Sequence, residues 1–177
     1  MTVERDHGRS TRARGAVLAT VLLALVFLAG IFVVPAIEAR GVRGADLPRL
    51  LYAPLCHQIA SRSLTLDAYP LTVCSRCTGL YLGGAAGLLV ALAYVLGRRK
   101  PPKPFWLAVA VAPTIIDAVL PRFGLPALSN VPRLLLAVPA GLLAGVFLAI
   151  GIYELFQTRR TAAVREPAGS VYGPGGN

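Results

Sequence analysis

Four long apolar segments constrain this chain more than any other feature of its sequence. They cover residues 16–37, 78–97, 104–120 and 131–156. A helix needs about 20 predominantly apolar residues to cross the hydrocarbon core of a bilayer. Only 15% of the residues are charged, whereas soluble domains carry about 25%. The sequence therefore predicts an all-α, polytopic membrane protein with four transmembrane helices in a lipid bilayer.

Two of these segments admit a second interpretation. The third is short and contains Pro113 and Asp117, so it is either a full crossing or a re-entrant segment. The first has the basic start of a signal peptide, but its apolar run is too long and Ile37-Glu38-Ala39 is a poor cleavage site. We expect the first segment to be retained as a membrane anchor.

The basic residues predict the orientation. The chain carries a net charge of +10, and its arginines and lysines concentrate in the tail 1–15, the loop 98–103 and the tail 157–177. Such residues favour the cytoplasmic side, which places both termini in the cytoplasm and the Cys/His loop 38–77 outside the cell membrane. The Gly/Pro-rich tail 157–177 is predicted to be disordered. Interleaved stacking aromatics are absent from the sequence, so nucleic acid is not an expected partner.

Small residues recur at four-residue intervals in two of the predicted spans. They are Gly79, Gly83 and Gly87 in the second, and Ala137, Gly141 and Gly145 in the fourth. This spacing lets helix backbones approach closely in lipid. It predicts helix packing and no nucleotide site, because the glycines lie within helices.

The loop before the second span carries a helical pattern of its own. Apolar residues recur every four positions over 47–60, after a plausible N-cap at Asp46: Leu47, Leu51, Leu55 and Ile59. This pattern predicts an amphipathic helix at the outer membrane interface, kinked at Pro54.

All three cysteines and one histidine of the chain lie within this short loop region. Cys56, His57, Cys74 and Cys77 offer three sulfurs and one nitrogen, a common ligand set for tetrahedral zinc or another transition metal. Cys56 and His57 are adjacent, so both bind one ion only if the backbone bends. With all four ligands the site is closed and structural, and with three it keeps an open position for chemistry.

Thiol–disulfide chemistry is the alternative function. Cys74 and Cys77 form a C-x-x-C pair at the predicted start of the second span, where the helix dipole and Arg76 favour a thiolate. Cys74 would be the attacking thiolate, and Cys77 or Cys56 would be the resolving thiol. A plain structural disulfide with one buried cysteine is a third possibility. The sequence leaves these three open, with the metal or cofactor site as its leading prediction.

Polar residues predicted at the same membrane depth extend this site into a pocket. Asp117 and Arg133 flank the short loop between the last two spans and are expected to pair, because an isolated charge there is costly. Their functional alternative is an anion or proton site, which suits a small transporter or an accessory subunit that acts as a homo-oligomer or with a membrane partner protein. The predicted pocket residues are Gln58, Arg62, Arg76, Thr78, Tyr81, Asp117, Asn130 and Arg133. If the second helix begins near Thr72 as its N-cap, Cys74, Cys77, Thr78 and Tyr81 share one face of it.

These motifs resemble those of a family of small bacterial and archaeal membrane proteins classed as a domain of unknown function. Its signature reads approximately C-H-Q, then R-S, then C-x-R-C-T-G-x-Y-x-G. The matching residues here are Cys56, His57, Gln58, Arg62, Ser63, Cys74, Arg76, Cys77, Thr78, Gly79, Tyr81 and Gly83. A second family segment is matched at Asp117, Ser129, Asn130 and Arg133, with departures at Ala118 and Pro121. The resemblance covers about residues 50–150 and implies a membrane fold without a known activity.

Overall fold

Four helices form the body of the protein. The computed structural model describes residues 3–42, 44, 47–97, 102–126 and 128–158, so the predicted disordered tail lies outside the described residues from position 159 onward. The helices are α1 (Val3–Glu38), α2 (Ser75–Gly97), α3 (Phe105–Val119) and α4 (Asn130–Thr158).

The predicted four-span architecture is confirmed. Each helix contains a stretch long and apolar enough to cross a membrane: Thr11–Glu38, Ser75–Tyr94, Phe105–Phe123 and Asn130–Phe156. The third stretch reaches this length because a 3-10 helix, Leu120–Phe123, continues directly from α3. α1 begins at Val3, so its backbone is helical through most of the predicted tail 1–15.

The closest helix contact joins α2 to α4. Gly83 lies against the carbonyl group of Val138, and Gly141 lies against that of Leu80. A Cβ at either glycine would overlap these backbone atoms. The helices can therefore touch through their backbones, as small residues allow in lipid. The other close glycines of this contact are Gly79, Gly84, Gly87 and Gly145.

α1 and α3 pack on this central pair in different ways. α1 contacts both α2 and α4, and its Val17 and Val21 join a buried cluster with Leu88 and Val146. α3 packs mainly against α4, and only 6% of its membrane stretch is buried within the described structure. Most of α3 is therefore available to lipid.

The loop between α1 and α2 differs from its prediction. In place of an amphipathic helix over 47–60, it forms a 3-10 helix, Leu47–Leu51, followed by turns. Tyr52 explains the early end, because its ring is buried and its hydroxyl donates a hydrogen bond to the Phe27 carbonyl of α1 at 2.8 Å. The sequence pattern also missed a two-stranded antiparallel hairpin, β1 (Thr65–Leu66) and β2 (Tyr69–Pro70).

Hydrogen bonds fix this loop to the end of α1. The Arg49 guanidinium binds both carboxylate oxygens of Glu38 at 2.5 and 2.6 Å, and it donates to the Pro70 carbonyl at 2.6 Å. The Thr72 hydroxyl donates to the Ile31 carbonyl at 3.1 Å. These bonds join both ends of the loop to one helix, and so they hold the loop cysteine beside the start of α2.

Candidate functional site

The three cysteines converge at the end of the bundle where α1 and α3 end and α2 and α4 begin. The sulfur atoms of Cys56, Cys74 and Cys77 all lie within 4.8 Å of one another. Cys56 comes from the loop and is buried, while the other two are partly buried at the start of α2. All three are free thiols. The cluster therefore joins residues separated by a loop into one group of potential sulfur ligands.

Backbone N–H groups point at the sulfur of Cys56. The amide of Cys74 donates to it at 3.2 Å, and the amide of Gln58 donates at 3.5 Å. Gln58 can do so because the chain turns there with φ at +51°, a conformation uncommon for residues other than glycine. The two amide hydrogen bonds fix the position of the Cys56 sulfur beside the start of α2.

Cys74 is the N-cap residue of α2, which begins at Ser75. Its carbonyl accepts hydrogen bonds from the Thr78 backbone amide at 2.9 Å and from the Thr78 hydroxyl at 3.1 Å. The predicted cap at Thr72 is wrong, since that hydroxyl bonds to α1 instead. A hydrogen bond with the Cys77 side chain lowers the pKa of the Cys74 thiol to about 5. This shift favours the thiolate form of Cys74 over the thiol.

His57 does not join the sulfur cluster, contrary to the predicted four-ligand set. Within the described chain, the group able to share an ion contains the three cysteines alone. Cys56 is buried and His57 is exposed. Adjacent side chains cannot both turn toward the same point without a sharp bend, and the bend in this chain comes one residue later, at Gln58. The imidazole lies instead at the wall of a neighbouring cavity.

That cavity has a volume of about 290 Å³ and opens beside the cysteines. Its polar wall contains the three thiols, His57 and Gln58. Three arginines complete this wall: Arg62, Arg76 and Arg133. Leu55 and Ile59 supply an apolar part and are otherwise exposed.

Asp117 lies behind the arginines and is almost fully buried. Arg76 donates to its Oδ2 from Nε at 2.7 Å and also from Nη2. Arg133 Nε lies 3.2 Å from the same oxygen. This second contact is an ion pair without an aligned hydrogen bond, because the buried Nε has no hydrogen-bond partner among the described residues. The sequence suggested the pair with Arg133 but missed the stronger link to Arg76.

Three other predicted pocket residues lie outside the cavity wall and make structural contacts. The Asn130 amide donates to the Ser63 carbonyl at 3.0 Å, and so it ties α4 to the loop instead of joining Asp117. The Tyr81 ring packs edge-on against Phe27, with 5.0 Å between ring centroids. Thr78 is buried and bonds within α2. None of these three lines the cavity as described.

Comparison with known proteins gives the family. The model of the family described as "Predicted membrane protein (DUF2085)" matches residues 56–153, which include the three cysteines, the cavity arginines, all of α2 and α3 and most of α4. The chain belongs to this family. The family's description states a membrane location and no activity, so the function must be argued from the site.

Two archaeal proteins are similar to the chain. An uncharacterised protein of Methanocaldococcus jannaschii is 28% identical over 107 residues, which are 60% of this chain and 66% of the relative. The chain thus spans slightly less than two thirds of that relative's length. An uncharacterised protein of Methanothermobacter thermautotrophicus is 33% identical over 89 residues, 50% of this chain and 78% of the relative. No solved structure matches the chain.

Proposed function

We propose that this membrane protein binds a thiophilic transition metal ion, with zinc as the leading candidate, through Cys56, Cys74 and Cys77. The observation that carries the proposal is the convergence of three sulfur atoms within 4.8 Å. Sulfurs that bind one zinc ion at about 2.3 Å lie about 3.8 Å apart. Small side-chain rotations bring the cluster to that spacing.

The surroundings of the sulfurs support a metal site. A metal binds thiolates, and two backbone amides donate to the Cys56 sulfur while the Cys74 thiol has a lowered pKa. Hydrogen bonds to ligand atoms orient them and tune the metal. Three protein ligands leave a fourth position of a tetrahedral ion for water or a bound molecule. We propose an open site of this kind.

The orientation and boundaries of the protein form part of the proposal. We place both termini in the cytoplasm, with one membrane domain over residues 16–156 and the metal site at the outer face of the cell membrane. The support is the concentration of basic residues at 1–15, 98–103 and 157–177, because such residues favour the cytoplasmic side.

The test is the metal content of protein purified in detergent without chelator. We expect about one metal ion per chain in the wild type and less than a tenth of that in Cys56→Ser. His57→Ala is the matched control from the adjacent position and should keep its metal. A wild-type protein without metal, or Cys56→Ser with full metal content, would refute the proposal.

Thiol–disulfide exchange is the second candidate, and the Cys74 thiolate beside the Cys77 thiol supports it. In this case Cys74 attacks a substrate disulfide, its sulfur forms a mixed disulfide, and one substrate thiolate leaves. Cys77 then displaces the second substrate thiolate and closes the Cys74–Cys77 bond. Alkylation in intact cells separates the two functions. A redox protein gains two modifiable thiols, Cys74 and Cys77, after dithiothreitol treatment. A metal protein gains three, with Cys56, and only after chelation.

A further inference from the structure

Charge is out of balance around the cavity beside the cysteines. Among the described residues, its wall carries Arg62, Arg76 and Arg133 and no acidic side chain. The carboxylate in contact with two of these arginines is Asp117, which lies behind them. A zinc ion on three thiolates would add one further negative charge. The three arginines therefore carry three positive charges against two negative ones, from Asp117 and the metal–thiolate group. The excess positive charge lies at the cavity wall, where a ligand can enter.

Arg133 shows why one carboxylate does not balance these arginines. Only 7% of the residue is exposed, and its buried Nε faces Asp117 Oδ2 at 3.2 Å without an aligned hydrogen bond. The same oxygen also binds Arg76. The Arg133 side chain forms part of the cavity wall. An anionic ligand in the cavity would balance the guanidinium charge that the shared carboxylate leaves over.

The size and wall of the cavity narrow the kind of ligand. At about 290 Å³ it matches the small end of ligand pockets. Planar guanidinium groups pair well with the oxygens of phosphate and carboxylate groups. Leu55 and Ile59 add an apolar side to the cavity, which suits the organic part of a phosphate ester.

We propose that this cavity binds a phosphate group through Arg62, Arg76 and Arg133. The group can belong to a free phosphate compound or to the headgroup of a lipid, since both present the same oxygens. The proposal concerns the same cavity as the metal site, but it depends on the arginines and holds with or without a metal ion.

The test is titration of inorganic phosphate into the full chain in phosphatidylcholine nanodiscs at low ionic strength, followed by calorimetry. Arg62→Gln removes an exposed charge with no structural partner in the described chain, so its fold should be intact. We expect it to weaken phosphate binding about fivefold. Arg133→Lys keeps a positive charge opposite Asp117 but loses the planar guanidinium group of the cavity wall, and we expect it to weaken binding about tenfold.

Arg122→Gln is the matched control. Arg122 is an exposed arginine in the 3-10 helix that follows α3, and it lies outside the cavity wall. Equal weakening by Arg62→Gln and Arg122→Gln would show general charge attraction and would overturn the proposal. Absence of phosphate binding, together with no preferential retention of phosphatidic acid in native mass spectra, would also overturn it.

A second set of nanodiscs identifies the source of the phosphate group. If phosphatidic acid in the bilayer abolishes inorganic phosphate binding, the cavity takes a lipid headgroup. If it has no effect, the cavity takes a free phosphate compound. Metal content is measured on the same samples. If the protein contains no metal but binds phosphate, only the metal-site proposal is refuted. If it contains metal but binds neither inorganic phosphate nor phosphatidic acid, only the phosphate-site proposal is refuted.

Discussion

Substitution of Gly83 by alanine tests the backbone contact between α2 and α4. A Cβ at this position would lie 2.8 Å from the Leu142 amide nitrogen, 3.0 Å from the Val138 carbonyl carbon and still closer to the Val138 oxygen. These are backbone atoms of α4, so no side chain can rotate away. The helices must separate, and overpacking of this kind costs about 3 kcal/mol. Alanine returns about 1 kcal/mol through its higher helix propensity, which leaves a net loss of about 2 kcal/mol.

Gly151→Ala provides the matched control within the same helix pair. Its Cβ would meet nothing within 4 Å, so this variant should be as stable as the wild type or slightly more stable. The assay is reversible unfolding in mixed micelles with increasing dodecyl sulfate, followed by circular dichroism. Gly83→Ala should unfold at lower detergent fraction. Equal midpoints for the two variants would refute the argument that backbone contact holds α2 against α4.

Three further predictions concern the site and the loop. Asp117→Asn leaves Arg76 without its counter-charge, so the protein should lose about 3 kcal/mol of unfolding free energy in the same assay. A loss below about 1 kcal/mol would contradict this, because exposed ion pairs contribute no more than that. In metal-free protein, alkylation of Cys74 should rise with pH around a midpoint of about 5, because its lowered pKa keeps the thiolate above that pH, and a midpoint near 9 would contradict this. Tyr52→Phe removes the hydrogen bond to Phe27 and should cost about 1 kcal/mol, with faster hydrogen exchange in the loop; unchanged exchange would count against docking through this bond.

The four helices could be predicted because each depends on its own residues. Length, hydropathy and the absence of charge are local properties, and lipid requires every backbone group of a span to be paired within the helix. The third span was the weakest prediction because its apolar run is short. The structure completes it with the 3-10 helix Leu120–Phe123, which follows α3 directly and has a poorer apolar pattern.

The loop could not be predicted equally well, because its structure depends on contacts with α1. The four-residue spacing of Leu47, Leu51 and Leu55 is helical, but burial of Tyr52 against Phe27 ends the 3-10 helix early. Glycine at position 30 makes this possible, because a Cβ there would overlap the Tyr52 hydroxyl. The loop sequence contains no pattern that indicates this space beside Gly30 on α1.

The site also contains features that local sequence predicts and features that depend on contacts between distant residues. Three cysteines close in sequence predicted a cluster, and the structure brings their sulfurs together. His57 and Asn130 were assigned to the site from neighbouring positions, yet one is exposed and the other holds the loop. The bond between Arg76 and Asp117 joins residues 41 positions apart. Nothing in the sequence alone distinguishes Arg76 from Arg133 as the stronger partner.

The positions of the charged residues along the chain determine the order in which the site assembles. Synthesis runs from the N-terminus, so the cysteines and Arg76 are complete with α2, while Asp117 arrives with α3 and Arg133 with α4. Until α3 is inserted, Arg76 has no carboxylate partner at the membrane boundary, where an unpaired charge is costly. Insertion of α3 relieves that cost, and α4 then closes the wall. The thiols thus meet first, and the arginine cavity forms beside them only when the last helix is in place.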